Sequence, residues 1–383
     1  MTDHGALDEF VVDERAYDDY IIDADFHLHI PTEKLYPYVE DPYVRDVLEE
    51  HGPPPFGRGQ LAVKYSKART TTEPHDRVHG IAANAEEVRA VCDELAIDVP
   101  VVQPGTNLEL VRSNYPTLTN ALTRAYNDYL LDNVIDVGND VYATLMVPNW
   151  DVEFAVEELH RVGDEPGFVA AQNWLTLYKQ WGDVDYDPIF EALTDLDLNL
   201  VLHVTSGDQM GGTSLTESSR AYTERLLGEW GSALIGNVAN MVMTGVFDEY
   251  PDLQVSLQEA GTLWIPYVAY RLDELYQAYP HDVALGERLY RRDARELDRM
   301  PSEYVFDNTY AATQPIALPN VDRSAHVDAL LTACRAGSMF MYTSDWPHVT
   351  VDPAEWLYTT AAVDDELRSR ILHGNAEELL RLP

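Results

Sequence analysis

The chain has 383 residues, 45% of them hydrophobic and 10% aromatic, which is enough to bury a sizeable core and excludes disorder over most of its length. Its 26 Lys and Arg against 66 Asp and Glu give a formal net charge of −40, a surface that repels nucleic acid and anionic lipid. It contains no apolar run of the ~18 residues a membrane span needs, and Met1 to Asp19 is acidic where a signal peptide is basic and then apolar, so a cytoplasmic protein with no membrane partner is expected.

Short apolar runs alternate with longer amphipathic stretches, the rhythm of βαβ units around a parallel sheet. Eight strands are expected in chain order: Tyr20 to Phe26, Ile97 to Gln103, Val141 to Val147, Gly167 to Asn173, Leu198 to His203, Leu253 to Gln258, Tyr304 to Asn308 and Ser338 to Thr343. Outer helices are expected between them, Val152 to Val162 and Pro188 to Thr194 among them. Eight strands close a barrel, so the expected fold class is α/β, a (β/α)₈ TIM barrel. Its domain covers residues 20–383 behind an acidic extension over 1–19.

Long insertions are expected after strands 1 and 6. The first, about residues 30 to 90, holds Pro53, Pro54, Pro55 and a basic patch of Lys64, Lys67 and Arg69; a long loop at that end of a barrel strand reads as a substrate cap. The second, Pro280 to Pro301, carries Arg288, Arg291, Arg292 and Arg295 among acidic residues and reads as an ion-paired surface helix.

The stretch IIDADFHLHI spaces Asp23, Asp25, His27 and His29 at period two, which puts all four on one face of a strand. Burying carboxylates and imidazoles together is costly unless a cation repays the desolvation. LNLVLHVTSG sets His203 at the end of a later strand and MYTSDWPHVT sets Asp345 at the end of the last. Strand ends converge on one rim of a barrel, so one divalent metal is expected, zinc first, with manganese or iron also suited to mixed oxygen and nitrogen ligands. His348 lies just past Asp345 as an acid/base or loop-fixing group, and Asn173 and Trp174 follow the fourth strand as pocket-lining, substrate-binding residues. Cys92 and Cys334 lack the spacing of a zinc ribbon or a disulfide framework and read as core thiols. Neither a G-x-G-x-x-G nor a G-x-S-x-G motif occurs, which disfavours a Rossmann dehydrogenase and an α/β-hydrolase.

Together with NALTRAYNDYL (120–130), TLMVPNWDVEFAVEEL (144–159), VFDEYPDLQVSLQEAGTLWIPYVAYRLDE (246–274), PSEYVFDNTYAATQP (301–315) and GNAEELLRL (374–382), these segments resemble the decarboxylase-related branch of the amidohydrolase superfamily. Its members include aminocarboxymuconate semialdehyde decarboxylase and resorcylate-type decarboxylases. The resemblance implies a mononuclear metal on Asp25, His27, His203 and Asp345, with Asp345 also the proton acceptor in hydrolytic members. It implies a homo-oligomer, dimer or tetramer, acting on a small molecule. The sequence departs from the branch in three places: Asp25 stands where many members have His or Glu, Glu259 stands where decarboxylases have His, and His29 has no counterpart. Glu259 is then a general acid/base or a hydrogen-bond acceptor behind the ligands, and His29 a further ligand or a substrate contact.

The first functional expectation is a metal-dependent hydrolase that activates a bound water to cleave a C–N or C–O bond of a carboxylate-bearing substrate. The alternative is a metal-dependent, non-oxidative decarboxylase of an aromatic or unsaturated carboxylic acid. A remote third is a catalytically silent barrel that keeps its metal.

Overall fold

Eight strands pair in chain order into one parallel sheet: β1 Ile22–Leu28, β2 Val99–Pro104, β3 Tyr142–Met146, β4 Phe168–Trp174, β5 Asn199–His203, β6 Val255–Gln258, β7 Thr309–Ala312 and β8 Phe340–Met341. The computed structural model describes residues 18–52, 84–105, 107, 115–175, 179–204, 220–316, 324–348 and 352–382. Bonds from the Ala24 N–H to the Tyr342 carbonyl (3.1 Å) and from the Asp345 N–H to the Asp25 carbonyl (3.1 Å) join the chain at β8 to β1 and close the ring. Helices separate the strands, giving the (β/α)₈ barrel that the alternation predicts.

Local chemistry accounts for the helices. Val152–Val162 starts where Asp151 accepts the Phe154 N–H (3.1 Å) and buries Ala155, Leu159 and Val162. Asp187–Asp195 has a proline in its first turn and buries Ile189, Phe190, Ala192 and Leu193. Such faces pack on the outside of the strands and form the larger core. A smaller one fills the ring below: Ile22, Ala24, Val99, Val101, Tyr142, Ala170, Val201 and Met341 pack with Ala376, Leu379 and Leu380 of the last helix, Asn375–Leu380. Asn199 donates to the Leu379 carbonyl (2.5 Å) and holds that plug in place. The N-terminal mouth is therefore filled, and the chemistry is left to the C-terminal rim.

Three expectations need correction. Residues Pro301–Asp307 are a helix, and β7 begins only at Thr309. Tyr304, Val305 and Phe306 are buried as a strand would bury them, but Pro301 in the first turn and the Glu303 carboxylate on the Met300 N–H (2.9 Å) start a helix. The eighth segment likewise opens as a helical turn, Ala336–Met339, before β8. The second insertion is not a uniformly solvated face. Arg288 is 1% exposed and binds Asp187 Oδ1 through Nε (2.8 Å) and Nη2 (2.5 Å), and the Gly182 carbonyl through Nη1 (2.6 Å); Arg291 and Arg292 keep the expected solvent-facing pairs.

In the first insertion the structure shows helices Pro42–His51 and Ala85–Leu95. Pro53, Pro54, Pro55, Lys64, Lys67 and Arg69 lie outside the described residues, as do residues 1–17. No helix among the described residues is long and apolar enough to cross a membrane.

Candidate metal centre

The centre begins with an irregularity in β1. Asp23 pairs with Pro100 and Phe26 with Val102, so β1 uses one residue more than β2 over that stretch, a β-bulge. Ile22 and Ala24 pack in the core inside the ring, whereas Phe26 and Leu28 pack in the outer core. The side-chain alternation therefore switches at the bulge. The four polar residues of the stretch do not share one face: Asp23 turns to the seam with β8, where it accepts the Ser344 N–H (2.9 Å) and hydroxyl (2.5 Å). Asp25 and His27 meet residues of the other strands at the rim.

His27 Nε2 stands 3.2 Å from Asp25 Oδ1, 3.4 Å from Asp345 Oδ1 and 3.2 Å from His203 Nε2. His203 Nε2 is 3.5 Å from Asp25 Oδ2 and 3.6 Å from Glu259 Oε2. Asp25, His27, His203 and Asp345 are all buried. His27 Nδ1 faces the Pro104 carbonyl at 3.2 Å, and His203 Nδ1 faces the Val204 carbonyl. A carbonyl only accepts, so each Nδ1 carries the hydrogen and the neutral ring turns its Nε2 lone pair toward the other. Both oxygens of Asp25 are buried without a hydrogen bond. Acceptors converging without a donor fit a divalent cation, and a backbone carbonyl behind each imidazole is the usual support of a histidine ligand. Asp25, His27 and His203, and separately His27, Asp345 and His348, have ligand atoms close enough to share an ion.

Glu259 follows β6 and Asp345 follows β8, both with positive φ (59° and 58°). Non-glycine residues in that region carry strain of order 1–3 kcal/mol, which clusters at functional sites. Burial pushes the Glu259 carboxyl well above the usual carboxylate range, and the charges of Asp345 and Asp25 push the same way. Burial acts on Asp345 too, but there the His348 ring outweighs it and holds the carboxyl below its ordinary value. His348 Nδ1 bonds Asp345 Oδ1, and this partner, against the effect of burial, raises the imidazole's pKa.

The remaining sequence-chosen residues are placed less uniformly. His29 lies past β1, its ring centroid 5.5 Å from that of His348. A Cβ at Gly105 would stand 2.5 Å from the His29 imidazole, so only glycine admits the ring there. Asn173 is buried, and its amide donates to the Val147 carbonyl, tying the ends of β3 and β4. Trp174 ends β4 in register with His203; its side chain lies outside the described ones. Sequence reasoning missed Ser344, Gln103 and Gln258. The signal for the glutamines was an amide at or next to the end of a largely apolar strand.

Residues 22–382 match the family model described as "Amidohydrolase". The chain belongs to the amidohydrolase family. Within that family it is 25% identical over 278 residues to a gamma-resorcylate decarboxylase from Polaromonas sp. (strain JS666), covering 70% of this chain and 78% of that one. It is 25% identical over 275 residues to one from Rhizobium sp. (strain MTP-10005), covering 68% and 76%. A 5-carboxyvanillate decarboxylase from Novosphingobium aromaticivorans, solved with manganese and 3-methoxy-4-hydroxy-5-nitrobenzoic acid, shares the fold at a TM-score of 0.69 and 18% identity, over 96% of this chain and 98% of that one. A dihydroxybenzoic acid decarboxylase from Polaromonas sp. JS666, solved with manganese and 2-nitroresorcinol, superposes at 0.64 with 19% identity, over 95% and 97%. This amidohydrolase-family chain is thus an enzyme on a barrel shared with metal-containing carboxy-lyases.

Proposed function

We propose that this enzyme is a metal-dependent, non-oxidative decarboxylase of an aromatic carboxylic acid. The observation that carries the reading is the pair of imidazole Nε2 atoms 3.2 Å apart beside the unbonded carboxylate of Asp25, in a chain whose relatives are named decarboxylases. The hydrolytic expectation leaned on Glu259 replacing a histidine. The relatives reported above support the alternative instead. A buried carboxyl holding a proton can do the acid's work of an imidazole, so the replacement does not favour hydrolysis.

Asp25, His27, His203 and Asp345 would hold the ion, which would supply positive charge for the oxygens of the substrate. Manganese takes precedence over zinc in this reading, because two carboxylates suit a harder ion and the structural neighbours named above contain it. Asp345 stays ionised against His348, and the raised imidazole offers positive charge to an anionic substrate at the mouth. Glu259 holds its proton and gives it to the ring carbon as the bond to the carboxylate breaks: the electron pair stays on the ring carbon, the proton joins it, and carbon dioxide leaves. His29 stands at the rim as a substrate contact, with Asn173 fixing the strand ends beneath. A dimer or tetramer in the cytoplasm is the assembly this reading carries forward.

The test is to reload chelated protein with manganese, zinc or iron and supply 2,6-dihydroxybenzoate and 5-carboxyvanillate beside carboxylate-bearing amides and esters. Metal-dependent release of carbon dioxide from the aromatic acids is expected. Water-consuming cleavage of the amides or esters without that release restores the hydrolytic reading, and metal binding with neither activity restores the silent barrel.

A further inference from the structure

At the bulge in β1, side chains of β1 itself and of β2 and β6 bond the backbone. Pro100, opposite Asp23, brings no N–H to that point of the ladder. The Asp25 N–H is accepted by Asp23 Oδ1 (3.1 Å). The Ala24 carbonyl accepts from Nε2 of Gln103 and, at 3.3 Å, from Nε2 of Gln258, which also donates to Ser256 Oγ at 2.8 Å. Since a carbonyl cannot donate, both amides are oriented with their nitrogens toward Ala24.

Gln103 and Gln258 are buried, and the Oε1 of each has no hydrogen-bond partner among the described residues. A buried amide with its oxygen unsatisfied is less stable than an apolar side chain of the same size. What these two supply is the donor for one carbonyl. Their place in the sheet is specific: Gln103 pairs in register with His27, and Gln258 with His203.

We propose that Gln103 and Gln258 are positioning residues for the metal-binding face of β1. By holding the Ala24 carbonyl they keep the bulge that switches the side-chain alternation and turns Asp25 toward the two imidazoles. The inference rests on the metal-site reading above.

The experiment titrates chelated full-length protein with manganese, following the melting temperature and the bound metal by elemental analysis, for wild type, Gln103→Met and Gln258→Met. Gln172→Met is the control, because Gln172 is a buried glutamine of β4 that bonds Thr144. Each of the first two variants is expected to bind manganese about 10- to 100-fold more weakly, as loss of support behind a ligand does, with the metal-free melting temperature little changed. Gln172→Met is expected to bind like wild type. Gln258→Met removes the longer of the two bonds and serves if Gln103→Met fails to fold. Wild-type manganese affinity in the variants, or an equal loss in Gln172→Met, overturns the proposal. A wild-type protein that neither takes up manganese nor is stabilised by it overturns the metal-site reading itself.

Discussion

Ser344 donates both its backbone N–H (2.9 Å) and its hydroxyl (2.5 Å) to Asp23, a residue 321 positions earlier in the chain. The first and last strands are thereby pinned beside the bulge, where Asp23 also accepts the Asp25 N–H. Asp23→Ala leaves these three buried donors unpaired and is expected to destabilise the protein by about 3 kcal/mol or more, since each orphaned group costs roughly 1–3 kcal/mol. Ser344→Ala, which removes the hydroxyl that donates to Asp23 and accepts the Trp346 N–H (3.0 Å), should cost less, about 1–3 kcal/mol. Urea unfolding of the metal-free proteins measures both, and equal losses would break the argument.

Substitutions at the proposed metal ligands should separate from those at the proposed acid. His203→Ala is expected to reduce bound metal well below one ion per chain, read by elemental analysis. Asp345→Asn should keep the fold and lose turnover. Glu259→Gln should keep the metal and lower kcat by about 10²–10⁴-fold, the usual worth of a positioned acid; an unchanged rate would make Glu259 structural.

Arg288 and Arg291 sit in one helix, Glu287–Arg291, and both pair with Asp187, but only Arg288 is buried. Arg288→Met strips a buried carboxylate of its main partner and is expected to cost about 3–5 kcal/mol. Arg291, with 55% of its side chain exposed, should cost less than about 1 kcal/mol as Arg291→Ala. Denaturant midpoints of the two variants test the difference.

Acid stability should respond to Glu158. Burial pushes this carboxyl up, but the bonds from Arg161 (2.7 Å to each oxygen) and Asn127 (2.9 Å), with Arg124 nearby, hold it below its ordinary 4.5. A carboxyl lowered by folding contributes stability that is complete above its unfolded pKa and is lost as pH falls through the folded one. Melting temperature against pH for wild type and Glu158→Gln should therefore diverge at neutral pH and converge on acidification below about 4.5. A constant gap would remove the linkage.

Salt should stabilise the protein. With a net charge of −40 spread along the chain, self-repulsion falls as ionic strength shortens the Debye length from about 10 Å at 0.1 M to near 3 Å at 1 M. A higher melting temperature in molar salt is expected, and no change between those conditions would remove this reading of the charge.

The sequence by itself determined the barrel, and it marked the polar residues that meet at its rim. Apolar runs ending in Asp25, His27, His203 and Asp345 carry a local signal, because strands and their polar termini are written at short range. Tertiary structure decided what short range does not contain. Tyr304 to Phe306 suit a buried strand or a buried helix equally, and the first-turn proline and packing chose the helix. The period-two pattern from Asp23 to His29 omits the bulge, which exists through the pairing with Pro100 and the bonds of Ala24 to Gln103 and Gln258. Arg288 looks like its solvent-exposed neighbours in sequence, and only the approach of Asp187 and the Gly182 carbonyl buries it. For the bulge and for Arg288 the deciding partners lie dozens to hundreds of residues away, so their effect enters only when the ring closes.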